Sequence, residues 1–197
     1  MTTRRLILAS ASPRRHELLK ALGLDFEIVV ADIDESPRRG EPPADMVKRL
    51  AIGKAAAVRV GNEVAVIGAD TAVVTGKDIF GKPRDEEEAV GMLGQLSGVT
   101  HRVLTGVALA TENGIATAIS STDVRFREID PDEARRYWQT GEPRGKAGAY
   151  AIQGRGGMFV EAISGSYSGV VGLPIFETAK LLLKAGIDVL PVVRESA

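Results

Sequence analysis

The sequence contains no cysteine, which excludes a disulfide scaffold, a zinc-thiolate site and a cysteine nucleophile at the outset. Its two histidines, His16 and His101, lie far apart in the chain. Charge of one sign is also missing: 25 Lys and Arg against 26 Asp and Glu give −1, without the broad basic field of nonspecific nucleic-acid binding. No stretch approaches the ~18 consecutive apolar residues of a membrane-crossing helix. The run at 6–9 after Arg4-Arg5 is too short for a signal peptide and meets Pro13-Arg14-Arg15 almost at once. Internal repeats, low-complexity tracts, linkers and a Gly-Lys-Ser/Thr phosphate loop are likewise absent. What remains is a chain of 197 residues, 44% apolar, that must hold together by burial; one domain spanning 1–197 is expected, in the cytoplasm.

The pattern predicts strands at 6–9, 26–30 and 64–69 alternating with helices at 15–22 and 44–60, and this alternation indicates an α/β fold. Ser12 and Pro13 read as cap and first residue of the first helix, and Gly23 as its stop. Capping boxes at Asp85/Glu88 and Asp130/Glu133 open helices to 96 and 140. Between them, 101–111 and 115–126 form a hairpin around Glu112-Asn113-Gly114, so the sheet is expected to be mixed and partly antiparallel, with flanking helices. A last helix spans 174–185, stopped by Gly186. Nine of the 22 glycines fall between Gly141 and Gly172, which implies tight bends or close approach to a ligand rather than a long helix.

Several residues are misplaced unless they do chemistry. Arg14 and Arg15 occupy the first turn of a helix, where the dipole favours acids; a phosphate held by them with Ser10, Ser12 and the turn amides would resolve the conflict. The alternative is two solvated arginines. Residues 1–60 carry 11 basic against 8 acidic side chains, which suits a small anion. Lys54 falls in the middle of the apolar stripe Val47, Leu50, Ala51, Ala55, Val58; it either snorkels or meets a carboxylate or phosphate in a cleft. Asp70 follows an apolar run, where a buried strand is expected to emerge, and Gly68 and Ala69 would keep the approach to it open. The segment 28–31 likewise ends in Asp32-Ile33-Asp34-Glu35, of which Asp32 and Asp34 read as solvated loop. Oxygen ligands without cysteine favour Mg²⁺ or Mn²⁺ over zinc. Lys82 offers one more phosphate contact. Cations, carboxylates and an inward lysine together suit phosphoryl chemistry. Ser12 and Ser166 lack His–Asp partners at motif spacing, and Tyr137 and Trp138 read as helix packing.

These residues occur in ordered motifs. Ser10-Ala11-Ser12-Pro13-Arg14-Arg15, Glu35, Arg49-Leu50-Ala51 with Lys54, Gly68-Ala69-Asp70-Thr71, Gly81-Lys82-Pro83, Lys146-Ala147-Gly148-Ala149-Tyr150, Ile152-Gln153-Gly154 and the segment 165–174 together resemble the Maf nucleotide pyrophosphatases over nearly the whole chain. The resemblance implies a fold related to the inosine triphosphate pyrophosphatases, with two lobes around a deep cleft. It implies hydrolysis of a nucleoside triphosphate between the α and β phosphates. Asp70 is then the general base and Glu35 its partner in metal or water binding, both holding a divalent cation. Arg14, Lys54 and Lys82 become phosphate ligands, and Arg14, Thr71 and Gln153 the determinants of substrate choice. The versions at 150–154 and 166–168 resemble the branch acting on dTTP and UTP rather than the one acting on 7-methyl-GTP, and the family is associated with septum formation and division arrest. The expected partner is a nucleoside triphosphate, with no nucleic acid and no membrane; a homodimer stays open. A nucleotide-sensing regulator with little turnover and a nucleoside phosphotransferase are the rivals.

Overall fold

Strand β1 (Arg5–Leu8) forms because four consecutive residues are apolar or end-capped by charge, and three of them are buried. It leads into helix α1 (Pro13–Lys20), then β2 (Glu27–Ile28) and helix α2 (Pro43–Val58). Strands β3 (Val64–Thr75) and β4 (Asp78–Phe80), helix α3 (Glu86–Leu96), the hairpin β5 (Thr100–Thr111) and β6 (Gly114–Phe126), and helix α4 (Pro131–Gln139) follow. The glycine-rich region contains two 3₁₀ turns, Ala147–Ala149 and Arg155–Phe159, with β7 (Val160–Ser164) and the short helix α5 (Tyr167–Val171). Helix α6 (Ile175–Lys184) ends at Gly186, whose φ of 76° is the left-handed stop. This computed structural model describes residues 5–190 other than 60, 62 and 77; Arg4, the expected helix end at Val60 and the turn residue Asn62 lie outside the described residues.

The two capping predictions are met to different degrees. Asp85 accepts from the Glu88 amide at 2.9 Å, but the Glu88 carboxylate turns to Arg84 rather than back to Asp85. Asp130 accepts from the Asp132 amide at 2.9 Å, and the Glu133 carboxylate, held in a bidentate pair with Arg127, also takes a hydrogen bond from the Asp130 backbone.

The seven strands form one mixed sheet in the order β2-β1-β3-β5-β6-β7, with β4 on β3. β1 runs parallel to β2 and β3, and the remaining pairs are antiparallel. Alternation along β1, β3 and β5 divides the core. Leu8, Ile67 and Leu109 pack with Leu19, Leu181 and Leu182 of α1 and α6 on one face. Ile7, Val66 and Ala108 pack with Ala51 and Ala55 of α2 on the other. The far ends of β3, β5 and β6 pass into a third cluster, in which Val73, Val103 and Phe126 meet Leu93 of α3 and Tyr137 of α4.

The largest departure from expectation concerns β3. It does not stop at Ala69 but runs on for six residues, because β5 pairs it continuously from Val66 to Val74. On its other side the pairing is interrupted. β1 covers residues 64–67 and β4 covers 73–75, so residues 68–72 face a gap in the sheet. Asp70 sits at the middle of that gap. A carboxylate is thus presented at a break in a sheet edge rather than at the end of its own strand.

Gly68 also has another purpose than expected. A Cβ there would run into the Ala51 carbonyl and lie 2.7 Å from the Ala55 amide; at Gly106 it would lie 2.5 Å from the Val47 carbonyl. The two glycines let α2 rest directly on the sheet, which brings Lys54 down to Asp70.

Candidate active site

The gap opens into a cavity of about 980 Å³. Ser10, Ser12, Arg14, Arg15, Glu35, Lys54, Asp70, Thr71, Lys82 and Gln153 all line it. They come from the β1–α1 turn, the loop after β2, α2, β3, the end of β4 and the second 3₁₀ region.

Its centre is Lys54. The side chain is buried, and its ammonium lies 2.7 Å from both Asp70 Oδ1 and Glu35 Oε1. Two carboxylates thus converge on one cation from a strand and a loop. Asp70 is 8% exposed, whereas half of the Glu35 side chain is open to the cleft. Partial burial works against the Glu35 carboxylate, but the hydrogen bond and charge of Lys54, with Lys82 and Arg15, hold its pKa below the usual carboxylate range. Glu35 is set in place by its loop. Ile33 packs on α2 at Gly53, and Arg49 of α2 grips the far end through Glu41, 2.6 Å from each carboxylate oxygen, and through the Ser36 carbonyl at 3.1 Å.

Asp70 and Thr71, being neighbours on a strand, leave opposite faces. Thr71 meets Arg15, whose guanidinium donates to Gly172 O at 2.7 Å, Thr71 Oγ1 at 3.2 Å and Ser10 Oγ at 3.4 Å. Thr105 Oγ1 bridges the Gly169 carbonyl at 2.8 Å and Thr71 Oγ1 at 3.0 Å. Arg15 therefore ties α1, β3 and the end of α5 together. Its pKa is lowered, chiefly by loss of water, with Asp70 opposing and Arg14 assisting.

Arg14 behaves differently. Among the described residues it makes no hydrogen bond or ion pair, yet it is half-buried, and burial lowers its pKa. Ser12 stands at the N-cap position of α1 without capping it, and the first turn holds no acid. An uncapped helix start, a free hydroxyl and an unpaired guanidinium on one cavity wall form an anion-receptive surface. Lys82 is exposed at the cavity edge, and so is Gln153.

Two contributors to the site escaped the sequence reading. Tyr137, read as packing, does pack in the core; its hydroxyl also donates to Glu142 Oε1 at 2.6 Å and accepts from the Ala151 amide at 3.1 Å. Glu142 accepts in addition from the amides of Arg155 and Gly156, at 3.0 and 2.9 Å. The pair clamps the 151–156 turn that carries Gln153. Gly154 and Gly156 are required there, since a Cβ at either would strike the Glu142 carboxylate or the Tyr137 hydroxyl. Loop residues lack periodicity; the crowding of glycines and the motifs at 146–150 and 152–154 marked the segment, without assigning Lys146 a role.

Asp32 and Asp34 follow the solvated reading: Asp34 Oδ1 accepts from the Ser36 amide on an exposed loop. Ser166 caps α5 by accepting from the Gly169 amide. Among the described residues no group of three or more His, Asp or Glu could hold a metal ion by itself. Asp70 and Glu35 each keep one oxygen without a described hydrogen bond. Two carboxylates completed by a ligand's phosphate oxygens are the donor set that Mg²⁺ ordinarily takes, so the residues fit such an ion.

Residues 5–185 match the family described as Maf-like protein. The chain belongs to that family. The Maf-like chain is 52% identical over 190 residues to a dTTP/UTP pyrophosphatase of Hahella chejuensis, covering 94% of each protein. It is 51% identical to one of Pelotomaculum thermopropionicum, covering 94% of this chain and 98% of that one. A solved nucleoside-triphosphatase / dITP/XTP pyrophosphatase from Mycobacterium abscessus covers 64% of this chain and 75% of its own at 18% identity and a TM-score of 0.40, too slight a likeness to bear on fold or function.

Proposed function

We propose that this chain is a nucleoside triphosphate pyrophosphatase that hydrolyses dTTP and UTP to the monophosphate and pyrophosphate, removing excess or noncanonical pyrimidine nucleotides in the cytoplasm. The observation that carries the reading is the convergence of Asp70 and Glu35 on Lys54 in a sheet gap whose other wall holds the unpaired Arg14 and the uncapped start of α1. The relatives' printed activity supports the choice of substrate.

The chemistry follows from the residues. A triphosphate enters with its anionic groups toward Arg14, Ser12 and Lys82. Lys54 has three N–H bonds and spends two on carboxylates, so the third is free for a phosphate oxygen. A water between Asp70 and the α-phosphorus attacks; its proton passes to Asp70, the α-phosphorus to bridging-oxygen bond breaks, and pyrophosphate leaves with its charge met by Lys82, Lys54 and Arg14. Asp70 suits the task because it is nearly dry and Lys54 holds one of its oxygens, leaving the other as acceptor. Mg²⁺ or Mn²⁺ held by Asp70, Glu35 and phosphate oxygens would supply charge neutralisation and a more acidic water.

A panel of triphosphates incubated with the protein and Mg²⁺ tests the reading by product. Pyrophosphate with UMP or dTMP is expected. Orthophosphate or a phosphorylated acceptor would indicate a phosphotransferase. Tight binding of UTP with no product would indicate a nucleotide-sensing regulator of septum formation.

A further inference from the structure

The proposed preference for uracil and thymine poses a problem that Gln153 alone does not solve. An amide pairs with O4 and N3–H of uracil, and after a half-turn it pairs equally well with the amino group and N3 of cytosine. Gln153 is exposed, and among the described residues no hydrogen bond fixes which way round its amide lies. A group that cannot reverse its polarity is needed beside it. Lysine and arginine are such groups, since both only donate.

The cavity holds two sets of cations. Lys54, Lys82 and Arg15 act on the carboxylate end, where their fields fall on Glu35. Arg14 stands between the two, acting on Arg15 as well as on Lys146, and Lys146 acts on Glu142 of the clamp that carries the Gln153 turn. Lys146 lines the same cavity and is half-buried. Among the described residues its ammonium has one hydrogen bond, a long one of 3.4 Å to the Arg144 carbonyl. Among the described residues no ion pair joins it to Glu142, whose carboxylate accepts from a hydroxyl and two amides. Burial and the repulsion of Arg14 lower the Lys146 pKa, against the pull of Glu142. The backbone beside it is held under strain. Ala149 has φ +59°, a rare value for a residue with a side chain, and the Gly148 amide is pinned to the Gly81 carbonyl at 3.1 Å.

We propose that Lys146 is a specificity residue: on the cavity wall that carries Gln153 it presents a donor-only group that accepts the carbonyl-rich face of uracil or thymine and leaves the amino group of cytosine facing a cation. The inference rests on the pyrophosphatase reading and adds Lys146 to it.

The test compares kcat/KM for UTP and CTP in wild type, Lys146→Met, Lys146→Gln and Lys146→Arg, with UMP and CMP binding by titration calorimetry and thermal melting to verify folding. Wild type is expected to favour UTP. The ratio should fall about tenfold or more in the Met and Gln variants, and Lys146→Arg should retain it. Binding of UMP over CMP should change in parallel. An equal loss on both triphosphates with weaker inhibition by pyrophosphate would make Lys146 a phosphate contact and overturn the proposal, as would an unchanged ratio or a wild type indifferent to the base. If wild type releases no pyrophosphate from UTP, the pyrophosphatase reading fails, and the UMP and CMP titrations still decide the role of Lys146.

Discussion

Lys54 is a cation in an apolar stripe, and its burial is tolerable because Asp70 and Glu35 receive it. Removing the ammonium leaves Asp70 charged, nearly dry and unpaired. Lys54→Met should therefore lose about 3–5 kcal/mol at pH 7. Urea denaturation checks this, and Lys54→Met/Asp70→Asn should recover part of the stability without activity. His101 provides a second test. Its buried ring meets Tyr150 OH at 2.9 Å, its other nitrogen has no hydrogen-bond partner among the described residues, and burial lowers its pKa to about 4. The folded state thus holds His101 neutral while the unfolded chain takes up a proton below about pH 6.5. Stability should fall as pH drops from about 6.5 to 4, by up to about 3 kcal/mol, and His101→Gln should lack that part of the slope. Lys54 and Arg14 were legible in the sequence because each breaks a rule of its helix. Glu142 was not, because a loop sets no rule to break, and Lys146 was marked only by the motif it opens.

At the scale of elements, the site depends on how closely α2 lies on the sheet. Gly68→Ala would place a Cβ against the backbone of Ala51 and Ala55. It should cost about 1–3 kcal/mol and lower kcat by shifting Lys54 relative to Asp70, measurable by denaturation and steady-state rates. The loop bearing Glu35 makes a gentler case. Arg49→Ala unties it from α2 at Glu41 and Ser36, so kcat/KM should fall about tenfold with little change in melting temperature. Most elements were legible from periodicity and caps. The continuation of β3 through Asp70 was not, because a polar pair after an apolar run reads as a strand end, and only pairing with β5, distant in sequence, overrides that. The brevity of β2 has a similar origin, since it pairs β1 through two residues only.

Across the whole molecule, the cleft lies where one face of the sheet passes from its α1 and α6 packing to its α3 and α4 packing, while α2 runs along the other face. Residues from both sides line it. A ligand touching both walls links them, so pyrophosphate or UMP at about 100 times its dissociation constant should raise the melting temperature by roughly 5–10 °C. The effect should be lost in Arg14→Ala if that guanidinium holds the anion. In the proposed reaction the division of labour is sharpest at Asp70, whose carboxylate takes the proton while Arg14, Lys54 and Lys82, with Ser12 and Gln153, hold the substrate. UTP turnover and UTP affinity measured side by side in Asp70→Asn therefore decide most: pyrophosphate release at least about 100-fold slower with affinity retained is expected, whereas turnover at the wild-type rate would remove the base from the mechanism.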